Sequence, residues 1–126
     1  MKAEELMAKA RQAVISARAL YDLNDMDGAC NRAYYAMFDA ARAALMQSGA
    51  PVGSEVARTH SGLITAFGLH LVKPGRLPLV LGRAINRAEE LRLVADYTGA
   101  PVDSEQASWA VENAEAFVTA IAAEFF

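Results

Sequence analysis

The 126-residue sequence has a single cysteine, one tryptophan, two histidines and four prolines. A lone thiol at Cys30 excludes an internal disulfide and any zinc site built on paired thiolates. Cys30 is read as a small apolar filler on a helix. Long apolar runs are also missing, and none approaches the roughly eighteen residues that a membrane span requires. The opening MKAEELMAKARQ mixes both charges and lacks the apolar centre of an export signal, so a soluble, cytoplasmic chain with no membrane association is expected. Positive charge is in short supply, with 12 Lys and Arg against 15 Asp and Glu and a net charge of -3. That balance argues against broad, sequence-independent attachment to a phosphate backbone but permits a local basic patch. No phosphate-cradling glycine loop, nucleophile elbow or paired-carboxylate motif is present. His60 and His70 are spaced so that they cannot share one helical face, and no other ligand lies near them in sequence. Neither a metal nor a cofactor is expected.

What the chain has is apolar content with helical spacing. At 54% apolar and 21% charged residues, residues 1–126 read as one globular domain able to bury a real core. No alternating strand pattern competes. Leu6, Ala10, Ala13, Ala17 and Leu20 form one stripe, predicting a helix from about Ala3 to Tyr21. Asn24 to Gly28 supply turn and capping residues, and a second helix is expected over about Asp27 to Gln47, stopped by Ser48-Gly49-Ala50-Pro51. A loop to Arg58 follows. Thr59 caps a shorter third helix carrying Leu63, Ile64, Phe67 and Leu71, which Lys73-Pro74-Gly75 ends. Pro78 suits the first turn of a fourth helix with Leu81, Ala84, Ala88, Leu91 and Ala95 on its inner side. After Gly99-Ala100-Pro101, Asp103 and Gln106 resemble a capping box for a last helix striped by Ala107, Ala110, Ala114, Phe117 and Ile121. Short connections favour antiparallel neighbours, so the expected fold is all-α, a compact up-and-down bundle of four to five helices.

Side chains that break these stripes are the candidates for function. On the second helix Cys30, Tyr34, Phe38, Ala41 and Leu45 make a core wall flanked by Ala33, Ala40 and Ala44. Tyr34 is a packing residue whose hydroxyl needs a polar partner. Arg32, Tyr35, Asp39 and Arg42 make a second, polar stripe on another side, either a solvated face of weak charge pairs or part of a cleft. Arg92 projects into the apolar arc of the fourth helix, with Asp96 one turn later. A guanidinium there must meet a carboxylate, a carbonyl or an anionic ligand. Either Arg92 and Asp96 pair structurally, or Arg92 faces an intersubunit or ligand cleft and holds a phosphate. His60, opening the third helix after Arg58 and Thr59, is a capping or packing residue or a donor to an anion at that helix start.

The blocks N-R-A-Y-Y-A-M-F at 31–38, R-T-H-S-G-L-I at 58–64, F-G-L-H-L-V-K-P-G at 67–75, L-G at 81–82 and L-R-L-V-A-D-Y at 91–97 resemble, in order, the small prokaryotic HEPN proteins. The resemblance implies a helical bundle, commonly a homodimer, and often an association with a minimal nucleotidyltransferase in a toxin–antitoxin pair. Catalytic members are metal-independent ribonucleases with an R-x4-6-H motif, whose chemistry needs a base for the RNA 2′-hydroxyl, an arginine for charge on phosphorus and an acid for the leaving oxygen. This sequence departs from that motif. The positions that follow Arg92 at the required distance are Tyr97, Thr98 and Gly99, and neither histidine has an arginine suitably upstream. The expected activity is therefore binding of a nucleotide, RNA or a nucleotidyltransferase partner through Arg32, Tyr35, Asp39, His60, Arg92, Asp96 and Tyr97. The alternative is a ribonuclease toxin whose catalytic residues are Arg92 and His60. Tyr97 is also the nearest counterpart of a tyrosine that partner enzymes adenylylate in some relatives.

Overall fold

The computed structural model describes all residues from Met1 to Phe126. Five helices are present: α1 (Ala3–Asp22), α2 (Met26–Ser48), α3 (His60–Phe67), α4 (Leu79–Tyr97) and α5 (Ser104–Phe125), with a 3-10 turn at Val56–Arg58 and no strand. The segment expected to be loop as far as Arg58 thus contains a turn of helix. A wide π turn, Gly68–Val72, continues α3 and is closed by the Lys73 N–H donating to the Gly68 carbonyl at 2.8 Å.

Local signals place most of the boundaries. The Asp25 carboxylate accepts the Gly28 N–H at 2.9 Å and starts α2, and Gly49, at φ 73°, stops it in the left-handed conformation a β-carbon disfavours. Thr59 caps α3 by accepting the Gly62 N–H at 3.0 Å. Asp103 and Gln106 form the reciprocal capping box of α5, at 2.7 and 3.0 Å. Pro78 stands one residue earlier than expected, as the N-cap of α4 and outside its first turn. Its extended backbone, at ψ 147°, delivers the chain to the helix without entering it.

The central element is α2, which packs against α1, α4 and α5. Thirteen of its residues are buried, and seven of those are alanines. Such small side chains let three neighbouring helices approach one axis closely. The expected α2 wall is buried throughout, from Cys30 to Leu45, as is the whole predicted α5 stripe. Leu20, Ile64 and Ala95, expected inside, are only half-buried. Phe67 and Phe117 stack at 5.3 Å between ring centres and tie α3 to α5. The Asp27 carboxylate accepts the Val102 N–H at 3.0 Å, fastening the α4–α5 connection to the start of α2. No helix is long and apolar enough to cross a membrane.

Candidate functional site

Where α2, the start of α3 and α4 meet, charge and aromatic rings share one small volume. Arg92 enters from α4 and is buried, only 4% exposed. Its guanidinium carbon lies 5.1 Å from the ring centre of Tyr34 and 5.7 Å from that of Tyr35, within the range of cation–π attraction. Two carboxylates of its own helix answer the charge, Glu89 at 3.2 Å and Asp96 at 3.4 Å. The pairing with Asp96 expected from the sequence is present, and Glu89 joins it. Arg92 also lies against the tyrosine-bearing helix. Burial works against its charged form, and the Glu89 carboxylate outweighs that, so its pKa stands above the usual value, with smaller contributions from Tyr35 and Tyr97. One guanidinium group, Nε, is buried with no hydrogen-bond partner.

His60 reaches the same cluster from the opening residue of α3. Its Nδ1 lies 2.7 Å from the Tyr34 hydroxyl, and its ring packs at 5.2 Å from Phe38 and 5.9 Å from Tyr35. Tyr34 is the hinge of this arrangement, fully buried and touching both His60 and Arg92. Burial first, and then the Glu89 carboxylate, push its phenol pKa up, so Tyr34 stays a neutral hydrogen-bonding group.

The polar stripe of α2 divides. Tyr35 is half-buried against the cluster, and Arg32 lies over the outer side of its ring at 5.6 Å. Asp39 forms no ion pair with Arg92 or Arg32. It is 7% exposed, and its charged neighbours are Lys9 of α1, Arg42 and Arg32. Burial raises its carboxyl pKa, and those three cations pull against the rise. The expectation of a solvated stripe fails at Asp39, because α1 covers that side of α2. Asp96 is near the surface and accepts a 3.1 Å hydrogen bond from Asn31 of α2, while Tyr97 is 75% exposed at the end of α4.

Three members of the cluster went unread in the sequence: Glu89, Asn31 and Phe38 in its role as a wall for His60. Glu89 carried a usable signal, lying three residues before Arg92 on one helix face. Asn31 and Phe38 carried none, since their partners are 65 and 22 residues away. His70 lies elsewhere, beside Leu69 and Thr65 in a separate groove. No group of three His, Cys, Asp or Glu residues is placed to hold a metal ion.

The arrangement can grip a planar or anionic group by stacking on Tyr35 and by charge from Arg32 and Arg92. It offers one imidazole, His60, and carries Tyr97, Thr98 and Gly99 where the ribonuclease motif would place a histidine. Among known proteins, this chain is 41% identical over 97 residues to a UPF0332 protein of Gloeobacter violaceus, covering 77% of this chain and 73% of that one. It is 32% identical over 118 residues to a protein of Methanocaldococcus jannaschii named "Putative toxin MJ0605", covering 94% and 84% of the two chains. A UPF0332 protein of Thermotoga maritima is 34% identical over 116 residues, 90% of this chain and 83% of the relative. The HEPN domain profile matches residues 3–124, nearly the whole helical bundle. The chain belongs to the HEPN domain family.

Proposed function

We propose that this protein is the recognition module of a toxin–antitoxin-type system, binding RNA on the face shared by α2, α3 and α4 without strong catalysis of its own. The observation that carries the reading is the half-buried Tyr35 ring, with the buried Arg92 guanidinium 5.7 Å from its centre. RNA recognition relies on such elements: aromatic and guanidinium planes for splayed bases, and cations for the backbone. Arg32 over Tyr35 extends the same combination toward solvent. The toxin-type context comes from the name of the Methanocaldococcus jannaschii relative, "Putative toxin MJ0605". Weak catalysis follows from charge, since Glu89 and Asp96 already neutralise Arg92, the arginine that the ribonuclease reading would use to stabilise a phosphorane.

Fluorescence anisotropy with a labelled single-stranded RNA in EDTA tests this. Roughly tenfold weaker binding by Arg92→Ala and by Tyr35→Ala, with the RNA intact on a gel, is the expected result. RNA that fails to bind at any concentration sinks the reading. Copurification with a nucleotidyltransferase, with no RNA affinity, would replace RNA by a protein ligand.

One observation favours a second reading, a metal-independent endoribonuclease using Arg92 and His60. His60 is held by Tyr34 through Nδ1, while its Nε2 makes no hydrogen bond within the chain. An imidazole so oriented is suited to proton transfer. Cleavage in EDTA that both Arg92→Ala and His60→Ala abolish would establish it.

A further inference from the structure

We propose that the pocket between the C-terminal half of α2 and residues 50–58 is a phosphoryl-binding site whose cationic partners are Arg42 and Arg58. The pocket has a volume of about 200 Å³, and its lining includes both arginines, the Ser54 hydroxyl and the apolar side chains of Leu45, Val52 and Ala57. No acidic residue lines it.

Neither arginine is committed elsewhere. The ion pairs of the chain engage Arg18, Arg76, Arg87 and Arg92, leaving Arg42 and Arg58 without a carboxylate within bonding distance. Asp39, one turn before Arg42, shares its field among Arg42, Arg32 and Lys9 and forms an ion pair with none of them. The Arg42 guanidinium lies 5.9 Å from the Phe38 ring centre, within cation–π range. Arg58 closes the 3-10 turn, which is pinned by the Thr59 hydroxyl donating to the Val56 carbonyl at 3.2 Å. Two guanidiniums on fixed supports can each offer paired N–H donors to one tetrahedral oxyanion. The apolar side chains on part of the pocket wall lower the local dielectric and so strengthen that attraction. The volume falls below the ~300 Å³ at which pockets begin to accept drug-sized ligands, so a phosphoryl group with its attached sugar fits better than a whole nucleotide.

Phe38 links this pocket to the site described above, lying 5.9 Å from the Arg42 guanidinium and 5.2 Å from the His60 ring. A phosphate in the pocket would thus be the neighbour of a nucleotide stacked near Tyr35. Two sources could supply it, a free mononucleotide or the 5′ end of an RNA strand. The second rests on the RNA-binding reading and the first does not.

Binding is measured calorimetrically for inorganic phosphate, AMP, and one short oligoribonucleotide with either a 5′-phosphate or a 5′-hydroxyl. The expected result is binding of AMP or of the 5′-phosphorylated strand that weakens about tenfold or more in Arg42→Gln and in Arg58→Ala. Arg83→Ala, a change to an exposed arginine in a different groove, should leave it unchanged. A 5′-phosphorylated strand at least about tenfold tighter than both its 5′-hydroxyl form and AMP identifies the strand end. AMP binding as tightly as either strand identifies the free nucleotide. The proposal is overturned if no phosphoryl ligand responds to the two replacements, or if Arg83→Ala weakens binding equally. Arg58 is exposed on a turn, so its variant stays folded and informative even if Arg42→Gln does not. Should the 5′-hydroxyl strand fail to bind while AMP still depends on Arg42, the RNA reading falls and the pocket stands.

Discussion

The Tyr34 hydroxyl and His60 Nδ1 meet at 2.7 Å, joining the middle of α2 to the first residue of α3. That contact fixes one ring nitrogen of His60 and leaves the other to point away. Tyr34→Phe should remove it while keeping the packing of the ring. The expected loss is about 1 kcal/mol in chemical denaturation, since a neutral hydrogen bond contributes about that much and His60 is only half-buried. No loss of stability would show that the contact is not maintained in solution.

Arg92 is balanced by Glu89 and Asp96, which must compete with any phosphate brought to it. Asp96→Asn should therefore strengthen RNA binding about 3–10-fold at low salt, and the gain should shrink as salt is added. Arg92→Ala should act in the opposite sense and also destabilise the bundle. Its loss strips the tyrosine rings of a packing partner and leaves two carboxylates, both with some access to water. We expect about 2–3 kcal/mol, below the range for a fully enclosed pair.

Gly62 faces the backbone carbonyl of Val56 and the Thr59 hydroxyl that caps α3, with no room for a β-carbon. Gly62→Ala must push the 3-10 turn away and loosen the cap. A cost of about 1–3 kcal/mol is expected, together with weaker phosphoryl binding, because the turn carries Arg58. Unchanged thermal stability and unchanged AMP binding would contradict the close approach.

Cys30 is 1% exposed, and burial pushes its thiol pKa up to about 11. In the unfolded chain the thiol titrates near its ordinary value of about 8.5. Above that pH the unfolded state binds fewer protons than the folded state, so stability falls as pH rises through the window up to about 11. Tyr34 adds a fall of the same sign from the tyrosine range upward. Urea titrations from pH 8 to 11 should show this loss beginning later in Cys30→Ala than in the natural protein. The native thiol should also resist alkylation at pH 8.

Leu93 and Tyr97 of α4 are 41% and 75% exposed, and we propose that a second copy covers them in the homodimer that the family resemblance implies. Leu93→Glu should then shift the protein to a monomer in sedimentation analysis without lowering its helix content. A natural protein that is already monomeric at micromolar concentration would remove the argument.

The helices, their caps and most of their buried stripes were legible in the chain. Spacing alone separated Tyr34 and Phe38 from the polar stripe of Arg32, Tyr35 and Asp39, and Thr59 and Asp103 announced helix starts that the structure contains. The errors have local causes. Pro78 served as a cap where a first-turn position was expected, and the segment before Arg58, expected to be loop, holds a 3-10 turn. The reading of a solvated face failed at Asp39 because periodicity tells which side a residue lies on, not which neighbouring helix covers it.

What the amino-acid order determined by itself is the set of five helices and the face each one hides, since hydrogen bonds three to five residues apart and apolar repeats are short-range properties of the chain. Only the tertiary structure decided that His60 would hold Tyr34, that Glu89 would share Arg92 with Asp96, and that Arg42 and Arg58 would line one pocket. Apart from the Arg92 ion pairs, whose geometry still depends on what α4 is packed against, these relationships join residues from different elements. They exist only once the alanine-rich α2 has drawn its neighbours in and set their relative rotation.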